Sequence, residues 1–139
     1  MTFEGQRTTQ FTDEEYREQA TFRRNLRTFL SRSEQEAREA GITPQQYLLL
    51  LLVRGHSGYP EVSIGAIAED LKLAQPTASL LVDRAVKRGL LNRVEDVSDR
   101  RRALVSLTVA GQGILDRVMS VNRGYLGTVE SLHPLARGD

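Results

Sequence analysis

The stretch from Ser63 to Thr108, SIGAIAEDLKLAQPTASLLVDRAVKRGLLNRVEDVSDRRRALVSLT, constrains the fold more than any other part of the chain. It reads as two short helices followed by a hairpin with an arginine-rich tip. In the second helix Ala78, Leu81, Val82, Ala85 and Val86 recur at i, i+3, i+4, i+7 and i+8, the spacing of one buried face. The opposite face carries Thr77, Leu80, Arg84, Lys87 and Arg88, a stripe that ends in three cations. Gly89 is placed to end the helix, because glycine enters the left-handed conformation without a Cβ clash. A packed helix with a polar, basic face beside a basic hairpin has the parts needed to read a DNA groove.

Charge supports a local rather than a global attraction. The net charge of the 139 residues is only +1. Between Asp83 and Arg102, however, seven cations (Arg84, Lys87, Arg88, Arg93, Arg100, Arg101, Arg102) stand against four acids (Asp83, Glu95, Asp96, Asp99). From Met1 to Glu39 the balance reverses, with seven arginines against eight acids. Such asymmetry predicts a basic working face on an otherwise acidic or neutral body.

Several classes are disfavoured. The absence of cysteine removes disulfides, thiolate metal sites and thiol redox chemistry. With His56 and His133 as the only histidines, no metal site and no cofactor are expected. The longest apolar run, Tyr47 to Val53, has seven residues, against about 20 for a membrane span. Met1–Gln10 is polar and lacks a signal-peptide pattern. A cytoplasmic protein with no membrane partner is expected. No G-x-S-x-G, phosphate-binding glycine loop or metal-ligand motif appears, and Glu14, Glu15 and Glu18 read as helix N-terminal charge favoured by the macrodipole. Catalysis is not expected.

Helix boundaries are legible on either side of the central stretch. Thr12 and Glu15 match a capping box, with Phe11 and Tyr16 placed for a hydrophobic staple. The helix they open runs on Tyr16, Phe22, Leu26, Phe29, Leu30 and Ala37 to Gly41. Thr43, Pro44 and Gln46 repeat the same pattern, and Ile42 is placed to staple onto Tyr47. This second helix, to about Arg54, is apolar nearly all round and is expected to be a buried strut. His56–Pro60 is a turn-rich connector, after which Ser63 caps a short helix with Ile64, Ile67, Ala68 and Leu71 inward. Leu91–Glu95 and Ala103–Leu107 read as paired strands around an Asp96–Arg102 loop. Thr108 then caps a last long helix with Ile114, Leu115, Val118, Met119, Tyr125, Leu126, Val129 and Leu132 on one stripe, ended by His133-Pro134. The two long amphipathic end helices predict a homodimer that buries both stripes across a two-fold axis. Dimeric proteins of this kind read palindromic half-sites about 10 base pairs apart.

TPQQYLLLLLV followed by IGAIAEDLKLAQPTASLLVDRAVKRGLLNRVEDVSDRRRALVSLTVAG resembles the MarR family of bacterial winged-helix transcriptional regulators. The likeness runs from Thr43 to Gly113, and its most specific pieces are QPTAS-LLVDR-AVKRGLL and DVSDRRRALVSLT-x-x-G. It implies a mainly α fold with a small β-hairpin wing (α+β). The expected parts are an N-terminal arm and dimerisation helix over 1–42, a winged helix-turn-helix domain over 43–108 and a C-terminal dimerisation helix over 109–139, within one compact domain. The implied function is operator binding as a homodimer, as a repressor or an activator with repression the favoured sign, and with release by a small-molecule effector. A winged-helix architectural or protein-interaction module without operator specificity is the alternative that stays open.

The resemblance also assigns residues. Thr77 and Ser79 match positions near the start of the recognition helix, where hydroxyls meet phosphates or base edges. Gln75 and Pro76 open that helix, Ser63 caps the one before it, and Arg84, Lys87 and Arg88 supply its cations. Leu80 departs from the family's polar preference, and is expected either to pack on a thymine methyl group or to tuck against the neighbouring helix. Ala74 stands where serine is common, so helix entry is expected to rely on Pro76. Asp99 and Arg101 match the wing's Asp-x-Arg element, in which the arginine enters a narrow minor groove and the acid orients it. Arg100 and Arg102 would flank it on the backbone. For an aromatic or amphipathic effector, the positional candidates are Tyr16, Phe22, Phe29, Tyr47, Arg54 and His56. The family usually continues into a further helix that interlocks the dimer. Pro134–Asp139 is too short for it, so the first helix is expected to carry more of the interface or the dimer to be weaker.

Overall fold

The computed structural model describes residues 10–99 and 102–123. They fall into two units, one of residues 33–123 and one that holds, among the described residues, 10–32.

In the N-terminal unit, helix α1 (Asp13–Glu39) begins as its capping pattern predicts. Thr12 Oγ1 accepts from the Glu15 amide at 3.0 Å, and Glu15 Oε1 accepts from the Thr12 amide at 2.9 Å. The Phe11 and Tyr16 rings meet edge to face with centroids 6.1 Å apart, closing the staple. Asp13, Glu14 and Glu15 place negative charge where the helix dipole favours it.

The last turns of α1 belong to the larger unit, where Ser33 and Ala37 are buried. Gly41, at φ +88°, ends the helix, and the Ile42 amide bonds back to the Ala37 carbonyl at 3.1 Å. Helix α2 (Pro44–Arg54) starts at once with a second capping box between Thr43 and Gln46. It packs on the segments 64–71, 75–87, 103–107 and 109–122. Tyr47, Leu49, Leu50 and Val53 are buried, whereas Leu48 is 44% exposed and Leu51 and Leu52 are only partly covered. The strut is therefore buried on one side rather than all round: its neighbours occupy one arc of the helix, and sequence apolarity alone does not say how wide that arc is.

Strand β1 (Val62–Ser63) leads into α3 (Ile64–Leu71), whose first turn is capped by Ser63 Oγ accepting from the Ala66 amide. Helix α4 (Gln75–Lys87) follows, with Ala74 at its N-cap giving no side-chain bond and proline in its first turn. Strands β2 (Leu91–Glu95) and β3 (Ala103–Leu107) form the expected hairpin, with Leu91 opposite Leu107 and Glu95 opposite Ala103. The sheet has a third strand that periodicity does not reveal: β1 pairs antiparallel with β3, Val62 opposite Val105, giving the order β1-β3-β2. Two residues are too few to carry an alternating pattern.

Helix α5 (Val109–Asn122) is capped by Thr108, whose Oγ1 accepts from the Gly111 amide. Of its expected stripe, Leu115 and Val118 are buried, Ile114 is partly covered and Met119 is 45% exposed. Tyr125, Leu126, Val129, Leu132 and the His133-Pro134 stop lie outside the described residues. Leu49, Leu50, Val53, Val62, Ile67, Val82, Leu91, Val105 and Val118 form the tightest part of the core, drawn from α2, α4, α5 and all three strands together with α3.

Candidate nucleic-acid interface

Helix α4 sits on the core through Ala78, Leu81, Val82 and Ala85. The period of 3.6 residues then turns Thr77, Leu80, Arg84 and Lys87 outward, and all four are exposed, Leu80 at 57%. Gln75 and Pro76, at the same end, are exposed as well. Gly89, at φ +75°, ends the helix, with the Leu90 amide bonded back to the Ala85 carbonyl at 2.9 Å. The chain can then turn directly into β2.

Arg88 is placed differently from the rest of its stripe. Its guanidinium donates to Gln46 Oε1 at 2.9 Å and to the Gly41 carbonyl at 2.8 Å. The side chain is thus turned onto the α1–α2 junction and braces the end of α4 there. Arg88 is exposed, as its spacing predicts, but the sequence could not show that two acceptors lie within its reach.

The sequence reading missed the link between α4 and the hairpin. Arg93 follows Leu91 by two residues in β2, so both side chains emerge from one face of the strand. Ser79 and Asp83 are one turn apart on α4 and share a face. Across this gap Arg93 Nη1 donates to Ser79 Oγ at 3.2 Å and forms an ion pair with Asp83. The only sequence signal was that i,i+4 pair opposite a strand cation.

The hairpin tip is organised by Asp96. Its Oδ1 accepts from the Ser98 amide at 3.0 Å and the Ser98 hydroxyl at 2.8 Å, a turn built on an acidic side chain. Its Oδ2 accepts from Arg102 Nη1 at 3.0 Å. The Ser98 hydroxyl and amide bonds, followed by the Arg102 charge, hold the Asp96 carboxyl below the usual carboxylate range against the opposing effect of partial desolvation. The Arg102 amide bonds the Asp99 carbonyl at 2.9 Å, closing the loop. Asp99 is half-buried, while Val97 is wholly exposed. Arg100 and Arg101 lie outside the described residues. Between the starts of α3 and α4 and the hairpin is a cleft of about 240 Å³, lined by Ser63, Gln75, Ser79, Arg93 and Arg102 among others.

The effector candidates are divided between the two units. Tyr16 is exposed, with Phe22 and Phe29 half-covered, in the N-terminal unit or its helix. In the larger unit the Tyr47 hydroxyl accepts from Asn122 Nδ2 at 3.1 Å, and the same amide reaches Ser33 Oγ at 3.3 Å. Arg54 instead donates to Gln112 Oε1 at 3.1 Å and lies 4.6 Å from the centre of the Tyr59 ring, a cation–π contact. His56 Nδ1 accepts from the Gly58 amide at 3.0 Å, an ordinary turn contact. Among the described residues no group of three or more His, Cys, Asp or Glu side chains is placed to hold a metal ion. Nor is any described helix long and apolar enough to cross a membrane.

A helix pair joined by a short turn, followed by a hairpin that packs against the second helix, is a winged helix-turn-helix fold. Residues 40–102 match the model of the MarR family. The chain is 30% identical over 111 residues to the HTH-type transcriptional regulator YsmB of Bacillus subtilis, covering 77% of this chain and 74% of that one. The chain belongs to the MarR family of transcriptional regulators. In fold it is similar to AbsC, a MarR family transcriptional regulator from Streptomyces coelicolor, with a TM-score of 0.71 at 21% identity over 95% of this chain and 100% of that one. It is likewise similar to Staphylococcus aureus MepR in its DNA complex, with a TM-score of 0.66 at 24% identity over 88% and 85% of the two chains.

Proposed function

We propose that this chain binds a palindromic operator as a homodimer and represses transcription, with α4 in the major groove and the hairpin wing in the adjacent minor groove. The observation that carries this reading is the arrangement of α4: its core face is fully engaged while Thr77, Leu80, Arg84 and Lys87 stand free of the core beside the basic hairpin. Such a helix has no packing role for its outer face. It is 13 residues long, about 20 Å at 1.5 Å per residue, enough to lie along a groove about 12 Å wide. The similarity to a regulator solved on DNA supports the same reading.

In this reading Gln75, Pro76, Thr77, Ser79, Leu80, Arg84 and Lys87 face the duplex from α4, Ser63 from the start of α3, and Asp99 with Arg100, Arg101 and Arg102 from the wing. Arg88 acts by anchoring α4. Segments 1–42 and 109–139 carry dimerisation around the 43–108 reading domain. A small aromatic or amphipathic effector is proposed to loosen DNA binding through the neighbourhood of Tyr47, Arg54 and His56, with Tyr16, Phe22 and Phe29 as further candidates. Selection of duplexes from a random pool, followed by anisotropy titrations with wild type and R101A, tests the reading. R101A should weaken binding to every selected duplex and lower the salt slope by about one unit. A wild type that enriches no sequence and binds only in low salt would favour an architectural module instead.

A further inference from the structure

We propose that Arg93 and Asp83 are positioning residues that orient the Ser79 hydroxyl as a hydrogen-bond donor to a DNA backbone phosphate, an inference that rests on the DNA-binding reading above. A serine hydroxyl ordinarily rotates and can give or accept a hydrogen bond. Here Arg93 Nη1 donates to Ser79 Oγ at 3.2 Å, so an oxygen lone pair is already engaged. The same nitrogen is held by the Asp83 carboxylate, a charge-assisted bond that fixes where it stands. The hydroxyl proton has no acceptor among the described residues, and neither the Gln75 carbonyl nor Asp83 receives it. It is therefore left to point into the cleft between α4 and the wing, which Ser79 lines with Ser63, Gln75, Arg93 and Arg102.

The other groups of that cleft select the ligand. Arg102 has further N–H groups and can only donate, whereas Arg93 is held through Nη1 by Ser79 and Asp83 and acts on DNA only through the hydroxyl. Each is also matched by a carboxylate, Asp83 and Asp96, so the cleft presents oriented donors with its cations already balanced. A phosphate oxygen, which only accepts, satisfies this set. An exocyclic base amine, which donates, finds only the second lone pair of Ser79 Oγ among these groups. The Arg93 and Asp83 side chains are 36% and 47% exposed, and a pair so accessible contributes little to stability. Its consequence is geometric: it ties the wing strand to the reading helix through the atom that would touch DNA.

The test is a thermodynamic cycle on the full chain, read by fluorescence anisotropy on the selected operator and on a scrambled duplex. S79A should lose about fivefold in affinity on both, since one hydrogen bond to a phosphate carries no sequence information. The charge-balanced pair change D83N/R93M should lose the same factor, and adding S79A to it should lose no more. S79T and R93K, which keep the hydroxyl and the donor, should bind like wild type. Salt slopes should match wild type throughout. The proposal is overturned if the pair change and S79A add, if the pair change lowers the salt slope by about one unit, or if R93K alone shows the S79A loss. It is also overturned if S79A weakens the operator alone, which would make Ser79 a base reader. Failure of the wild type to bind either duplex would instead remove the underlying reading. Thermal melts of each variant keep loss of folding separate from loss of contact.

Discussion

Gly111 lies directly against the carbonyl of Leu90: a Cβ built on it would overlap that oxygen and sit 2.9 Å from the carbonyl carbon. The first turn of α5 is thereby packed on the start of β2, and the Thr108 side chain and amide bond the Gly89 and Leu90 carbonyls at 2.6 and 3.1 Å. The end of α4, the base of the hairpin and the start of α5 meet at this one joint. The neighbour is backbone, so it cannot rotate away as a side chain would. G111A should lower unfolding free energy by about 1–3 kcal/mol in urea titrations. A stability equal to wild type would mean that the joint is looser than described.

Arg88 should behave as a brace rather than a DNA contact. Its two bonds, to Gln46 and Gly41, are made without DNA. R88M is expected to lose about 1 kcal/mol of stability while leaving the salt slope of DNA binding unchanged. A slope lower by about one unit, with unchanged melting, would return Arg88 to the DNA face.

The wing tip should respond to acid in one direction. The folded Asp96 carboxyl titrates below its unfolded value, so its turn contacts are fully present above the ordinary carboxylate range and are lost as pH falls through the folded value. The Ser98 and Arg102 amide resonances should stay fixed from pH 7 to about 5 and move only in more acidic solution, below the ordinary value of about 3.9. D96N should remove the acid-dependent movement. Movement near neutral pH would contradict the assignment of this turn to Asp96.

Much of this fold is readable because its punctuation is local. Thr12, Thr43, Ser63 and Thr108 each close on a backbone amide within three residues, so their signals need no knowledge of the rest of the chain. The same holds for Gly41 and Gly89, and for the inner face of α4. What escaped the sequence depends on distance along the chain. The β1–β3 pairing joins Val62 to Val105, the Arg88 brace joins residues 47 positions apart, and the Arg93 link crosses from strand to helix. In each case residue type was visible and partner was not. Leu48 makes the same point in reverse: its apolar run looks buried, but only the arrangement of neighbouring helices decides which side is covered.

Leu80 tests whether the outer face of α4 reads sequence. More than half exposed in the middle of that face, it has no hydrogen-bonding group and can recognise only apolar surface. L80A should relax the preference for one thymine in each half-site, weakening operator binding by about fivefold while binding to scrambled DNA is unchanged. An unaltered base preference would place the leucine outside the groove.

Selection of duplexes from a random pool with the wild-type chain addresses the central claim most directly. The account predicts a two-fold symmetric consensus with half-site centres about one helical turn apart, and a protein–DNA stoichiometry of two chains per site. Enrichment of no sequence, or of a single asymmetric site bound by one chain, would contradict it.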